Sequence, residues 1–522
     1  MFLRYILAFL LIISTLFFSL SCRQQQANDA ITIALSDKFS GLDTISTASS
    51  DAAADRIRNL MFNSLVKKND KFEYVGELSK DPVIDAANLT ITFTLQDNVK
   101  FHNGKDLTSA DAKYTLDALF QSGGYKAASF YDTVDGQKQE HITSVETPDA
   151  KTLVLKVRRP ALINQTLSNL VTIPIIPEGS IQQQKTSPIG TGAFKFAAFD
   201  QANNIVSLEA NPNYWEGAPK IQKVVVKTVT DSNALQAELQ AGRVDLVPNP
   251  TNISADTFNT LGKSPNMQIV QSDGSNIRYI GFNVTEKPLD NVKVRQAIAY
   301  AIDREKIIKE LLSGQAKVAH SILPEASWAY SAPTKYNYDP AKTKQLLEEA
   351  GYKGEPITFK YLSGSSAVSL YSQVIQDSLK SAGINVKIET LEDNTLREQL
   401  KQGQFQMNTA QWIGGNQDPI FLRDLFDSDE FPDRKPNGRN RSRYANPKFD
   451  EIVRKAVNTT DKMEAAKLYA EAQEILANEL PYLPLWYPAN MVIASKRLNN
   501  IKNIKINASG DWSFVKDLTI GN

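Results

Sequence analysis

One stretch constrains the fold more than any other. Ile357 to Tyr361 alternates as a strand, Leu370, Val374, Ile375 and Leu379 fall on one face of a helix that stops at Gly383, and Ile384 to Ile388 alternates again. Strand, helix and strand in that order form a parallel crossover unit, because two parallel neighbours need a long connection that packs back on the sheet. The chain is therefore expected to be α/β.

Caps elsewhere extend the pattern. Thr108 with Asp111 three residues on opens a helix whose Ala112, Leu116, Leu119 and Phe120 share a face. Asp339 followed by Pro340 is an N-cap with proline at the first helical position, and Gly351 ends that helix. Val294, Ile298, Ala301 and Ile302 form one apolar helix face, Asp303 breaks it, and Ile307 to Leu312 form the next before Gly314. A weak repeat also emerges. Leu235, Leu239, Gly242, Val244 and Leu246 share their spacing with Leu396, Leu400, Gly403, Phe405 and Met407. Two readings stand: a common α/β connection met twice, or two lobes of similar construction facing one another.

The N-terminus sets the compartment. Arg4 precedes an apolar or small run from Tyr5 to Leu20, followed by Ser21, Cys22 and a polar stretch. The run slightly exceeds a usual signal-peptide core of roughly 7–15 residues and falls short of the ~20 a spanning helix needs. Cys22 is the only cysteine in 522 residues, so no internal disulfide forms and the core alone must stabilise an exported chain. The site resembles a bacterial lipobox, with Ser21 in the small position but Ser19 where leucine is usual and Leu20 one place late. An uncleaved signal anchor is the alternative. A periplasmic or cell-surface location, held to the membrane as a lipoprotein through Cys22, is expected.

Composition excludes several functions. Fifty-eight basic and 58 acidic residues balance, which argues against nucleic acid as partner. The basic run from Arg434 to Arg443 follows Asp427, Asp429, Glu430 and Asp433, so it reads as a solvated loop. His102, His141 and His320 lie far apart with no ligand-spaced companion, so neither metal nor cofactor is expected and each histidine is structural or exposed. Gly190, Thr191 and Gly192 begin like a phosphate loop, but Ala193 to Lys195 supply neither the further glycine nor a Lys-Ser/Thr pair. A tight turn into a strand from Phe194 to Phe199 is the better reading. No G-x-S-x-G elbow occurs, and an enzyme is not expected.

Several blocks together resemble one family. VKFHNGKDLTSADAKYTLDAL (Val99 to Leu119) looks like the signature of the family 5 extracellular solute-binding proteins, which include dipeptide, oligopeptide and nickel binders. PIGTGAFKF (Pro188 to Phe196), LEANPNYWEGAPKIQKVVV (Leu208 to Val226), IGFNVTEKPLDNVKVRQAIAYAIDREKII (Ile280 to Ile308), YANPKFDEIVRKA (Tyr444 to Ala456) and LPYLPLWYP (Leu480 to Pro488) follow in the family's order. On their own residues these blocks are mostly core helices, strands and a packed aromatic corner at Tyr214 and Trp215.

The resemblance implies a periplasmic-binding-protein-like fold of two lobes with an additional inserted domain and a hinge between the lobes. Residues 1–21 would be the signal peptide and 22–30 a lipid-anchored linker. Residues 31–50, 188–275 and 490–522 would build lobe I, 51–187 the inserted domain and 276–489 lobe II. The chain would bind a peptide or peptide-like solute between its lobes as a monomer and hand it to a membrane-embedded ABC permease. An oligosaccharide, a metal chelate or a sensory role is the alternative. The segment that contacts peptide in relatives corresponds here to Gln411 through Pro419, with Trp412, Ile413, Gly414, Gly415, Asn416 and Asp418 as substrate-binding candidates. In the dipeptide and oligopeptide binders an aspartate three residues after the tryptophan takes the ligand's α-ammonium; Gly415 stands there in this chain, and Asp418, matching the second acid of the pattern, reads as a turn residue before Pro419.

Overall fold

The computed structural model describes residues 29–43, 45–48, 51–134, 137–250, 253–414, 417–435, 438–503 and 511–521. The signal-peptide stretch, Cys22, Gly415 and Asn416 lie outside the described residues. Among the described residues no helix is long and apolar enough to cross a membrane.

Two large mixed sheets carry the two lobes. The first has seven strands: β1 (Ala30–Leu35), β8 (Phe194–Asp200), β9 (Ile205–Ala210), β10 (Lys223–Thr228), β11 (Leu246–Pro248), β12 (Met267–Ser272) and β19 (Asn490–Ser495), in the order β8-β9-β10-β1-β11-β19-β12. The second has six: β13 (Ile277–Phe282), β14 (Ala316–Val318), β15 (Ile357–Leu362), β16 (Val386–Leu391), β17 (Met407–Trp412) and β18 (Tyr482–Pro488), in the order β14-β18-β13-β17-β15-β16. The predicted crossover is present: β15 and β16 pair in parallel through the helix Ser366–Ser381.

Alternation along β13 divides the second lobe's core. Ile280 and Phe282 pack with Ile298, Ile375 and Leu483 on one face, while Ile277 and Tyr279 pack with Phe426, Phe449 and Leu476 on the other. Both faces are covered, as a sheet with parallel strands requires.

Between β1 and β8 lies the inserted domain. Its four-stranded antiparallel sheet comprises β4 (Val83–Asp85), β5 (Thr90–Thr94), β6 (Ile142–Asp149) and β7 (Thr152–Val157), in the order β4-β5-β7-β6. A separate hairpin pairs β2 (Val66–Lys68) with β3 (Tyr74–Gly76). The helix α1 (Ser109–Ser122) starts at the predicted capping box, with Thr108 N–H donating to Asp111 at 2.9 Å. Gly190 and Gly192 form a turn into β8, and a Cβ on either would meet the backbone around Met61 at 2.2 to 2.4 Å. These glycines permit backbone contact, not phosphate binding. His102 clamps the same turn: Gly190 N–H donates to its Nδ1 at 3.3 Å and its Nε2 faces the Gly192 carbonyl at 3.0 Å. Burial pushes that imidazole down to about 4.

Candidate functional site

Strand direction locates the crevice. In the first lobe β1, β10 and β11 are mutually parallel, and β12 runs with them because both β11 and β12 are antiparallel to β19. Their carboxyl ends, at Leu35, Thr228, Pro248 and Ser272, share one edge. From Ser272 the chain crosses into β13, and from Pro488 at the end of β18 it returns to β19. In the second lobe β15, β16 and β17 are parallel, and Trp412, the last residue of β17, lies opposite Ile277, the first of β13. Both lobes thus turn the carboxyl ends of their parallel strands toward the crossings and toward each other. Crevices outside such ends are where open α/β sheets bind ligands.

The two crossings touch. A Cβ on Gly274 would come within 1.8 Å of the Pro488 carbonyl oxygen, so no larger residue fits between them. Asn490 Nδ2 donates to the Asp273 carbonyl at 3.2 Å, adding a polar tie between the passing chains.

The candidate segment begins where β17 reaches this edge. Trp412 is half-buried, stacked on Tyr279 with ring centroids 6.3 Å apart and edge-on to Phe421 at 5.1 Å. Its indole N–H has no hydrogen-bond partner among the described residues. Ile413 beside it is 61% exposed, an apolar side chain offered to the outside of the strand end. Gly414 adopts φ 73° and donates its N–H to Asn276 Oδ1 at 3.2 Å. That left-handed turn favours glycine and redirects the chain away from the sheet.

The end of the segment is buried instead of open. Gln417 Nε2 donates to Ser275 Oγ at 2.8 Å, and Gln417 Oε1 accepts from Lys68 Nζ at 3.2 Å. Asp418 Oδ1 accepts the Ile420 N–H at 2.9 Å, the expected turn ahead of Pro419, while Oδ2 accepts the Tyr74 hydroxyl. Burial raises the Asp418 carboxyl, opposed by the nearby Lys68 ammonium. Lys68 is in turn pushed down by burial, opposed by Asp418. Of the six candidates, Trp412, Ile413 and Gly414 stand at the strand end, Asp418 is turned into the protein, and Gly415 and Asn416 lie outside the described residues. Sequence reasoning missed Lys68, Tyr74, Ser275 and Asn276. No local signal marks them, since the hairpin residues meet this segment from about 350 positions away.

A polar cavity of about 560 Å3 lies elsewhere, lined by Asn63, Glu77, Tyr214, Glu216 and Lys516 among others. Asn63 Nδ2 and the Ser64 N–H hold the Glu77 carboxyl at 2.9 and 2.7 Å, and burial raises it to about 7. None of its lining residues belongs to the crossings or to the segment after β17.

Comparison with known proteins agrees with this architecture. The model for bacterial extracellular solute-binding proteins, family 5, matches residues 73–432. The heme-binding protein A of Haemophilus influenzae is 28% identical over 467 residues, covering 84% of this chain and 83% of that protein. The oligopeptide-binding protein AppA of Bacillus subtilis is 30% identical over 483 residues, covering 87% and 86%. Its structure in complex with a nonapeptide superposes with a TM-score of 0.72 at 25% identity, covering 94% of this chain and 99% of that one. The ABC transporter substrate-binding protein CtaP of Listeria monocytogenes superposes with a TM-score of 0.81, also at 25% identity, over 94% and 99%.

Proposed function

Since the chain belongs to the family 5 bacterial extracellular solute-binding proteins, we propose that it captures a peptide or peptide-like solute between the facing carboxyl edges and delivers it to an ABC importer. The observation that carries this reading is Trp412, set at the strand end nearest the crossings and packed on Tyr279 and Phe421, with the exposed Ile413 beside it. A half-buried tryptophan beside an exposed isoleucine offers a peptide an apolar wall. Lobe closure around the solute is driven by contacts made only in the shut state. Cys22 anchors the mature chain as a lipoprotein outside the cytoplasmic membrane.

The solute's amine is not the recognition element. Gly415 stands where resembling peptide binders carry an aspartate, and Asp418, the second acid of the pattern, already holds the Tyr74 hydroxyl and faces Lys68. A charge-assisted hydrogen bond contributes about 1.5–3 kcal/mol, so its absence makes free-amine and acetylated peptides comparable ligands. The likeness to a heme-binding protein favours one second reading, a bulky non-peptide solute in the same crevice.

Mass spectrometry of the solute released on denaturing the purified protein separates these readings, and calorimetry with paired free and acetylated peptides tests the amine. Trp412→Ala should weaken binding at least tenfold, about 1.4 kcal/mol, and, because the indole also packs on Tyr279 and Phe421, lower the melting temperature. Unchanged affinity, or nanomolar binding confined to free-amine peptides, would overturn the site as drawn.

A further inference from the structure

The hairpin β2–β3 belongs to the inserted domain, yet its side chains end on the second lobe. Lys68 Nζ donates to Gln417 Oε1, and Gln417 passes the connection to Ser275 in the first crossing. The Tyr74 hydroxyl donates to Asp418. Lys68 also lies 5.9 Å from the Tyr74 ring centroid, so the two hairpin residues brace one another. Farther out on the same seam Glu73 pairs with Lys462, whose ammonium stands 5.4 Å from the Trp328 ring centroid. At the other end of the inserted domain, Ala161 packs into the second lobe's apolar core.

We infer that this hairpin is a latch: Lys68 and Tyr74 grip Gln417 and Asp418 when the lobes shut, and so position the end of the solute-contacting segment against the crossing. The latch rests on the reading of the crevice as the solute site. It makes Lys68 and Tyr74 positioning residues that raise affinity without touching solute. The physical reason is that a solute binds only the competent arrangement, so its apparent affinity falls by the fraction of molecules not in that arrangement. Gln417 and Asp418 are buried here, whereas an open molecule returns their polar groups, with the Lys68 ammonium and the Tyr74 hydroxyl, to water. Both states therefore satisfy these groups, as a reversible contact must. The exposed Glu73–Lys462 pair contributes little by itself but fixes which face of the hairpin meets the lobe.

The test reads the latch without any solute. In a Cys22→Ala background, spin labels on Ala87→Cys in the inserted domain and Glu451→Cys in the second lobe report the distance across the seam by pulsed dipolar spectroscopy. Combining Lys68→Met with Tyr74→Phe should reduce the short-distance population at least threefold and weaken binding of a randomised hexapeptide pool about tenfold, mainly through faster release. Lys71→Met, at the hairpin tip, should change neither. Glu73→Lys should lower the short-distance population, and adding Lys462→Glu should restore it. An unaltered distance distribution in the Lys68/Tyr74 variant, with its melting temperature retained, overturns the latch whatever the peptide pool does. A shifted distribution in a protein whose wild type binds no peptide supports the latch and sinks the peptide reading instead.

Discussion

Two units of the molecule are built alike and used differently. In the first lobe β10 leads through the helix α2 (Ser232–Gln240) and Gly242 to β11, with β1 lying between the two strands. In the second lobe β16 leads through α3 (Asp393–Lys401) and Gly403 to β17, with β15 between them. Both glycines are left-handed, at φ 68° and 75°. The difference lies in the last strand. β11 has three residues, all buried, whereas β17 has six, and burial fades along it from Met407 to Trp412. One copy is spent on the core; the other carries a strand past the core and out to the crevice. The same local code thus gives a buried scaffold strand in one lobe and, in the other, the strand end proposed as the binding edge, according to what surrounds its final strand.

Helix anchoring gives the strongest test of that contrast. Leu235 and Leu239 of α2 are fully buried in a cluster with Phe258, Leu261 and Ile493, while Leu396 and Leu400 of α3 share a small cluster with Phe405. Leu→Ala in a core costs about 2–5 kcal/mol, more where the site cannot collapse. Leu235→Ala should therefore cost about 4 kcal/mol and Leu396→Ala about 2 kcal/mol, read from denaturant midpoints at constant slope. Equal costs would remove the distinction between the scaffold copy and the edge copy.

The repeat was legible in the sequence because both copies place apolar residues at helical spacing before a glycine and a strand. The crossover at Ile357 to Ile388 and the caps at Thr108 and Asp339 were legible for the same reason: each is a local signal within a few residues. The candidate segment was legible only by its tryptophan. What lies against it depends on pairing between residues 68 and 417, and no periodicity encodes a contact at that separation. The phosphate-like glycines show the converse. Their local pattern is ambiguous, and only the approach of Met61 explains why Gly190 and Gly192 carry no side chain.

Protonation offers a test within the inserted domain, where His102 and Glu77 act with opposite sign. The His102 pKa falls from 6.5 to about 4 in the folded state, so its contribution is present above pH 6.5 and lost as pH falls toward 4; the shift corresponds to about 3 kcal/mol. The Glu77 pKa rises from 4.5 to about 7, so its contribution is present below pH 4.5 and lost as pH climbs toward 7. Over pH 4.5 to 6.5 the two slopes nearly cancel. Relative to the wild type, Glu77→Gln should make the slope of stability against pH more positive, and His102→Gln more negative, each by up to about 1.4 kcal/mol per unit. Matching slopes in both variants would mean that these two groups do not set the balance.

The smallest effect is the most discriminating, because it asks whether the two units turn by the same device. A side chain at positive φ costs about 1–2 kcal/mol, from the approach of Cβ to the following carbonyl. Around Gly242 a Cβ would meet nothing within 4 Å, so Gly242→Ala should cost that conformational amount alone. Around Gly403 the nearest atoms are those of the Arg443 guanidinium, at 3.4 Å, an ordinary contact that need not move. That guanidinium is held by the Lys401 carbonyl at 2.8 Å and by Asp433 at 3.0 Å, so it neither yields nor intrudes. Gly403→Ala should then match Gly242→Ala to within about 0.5 kcal/mol, and asparagine at either position should recover part of the loss because it tolerates the left-handed region. A Gly403→Ala cost several times larger would place the constraint in the packing of Arg443, and the two turns would be alike in shape but not in cause.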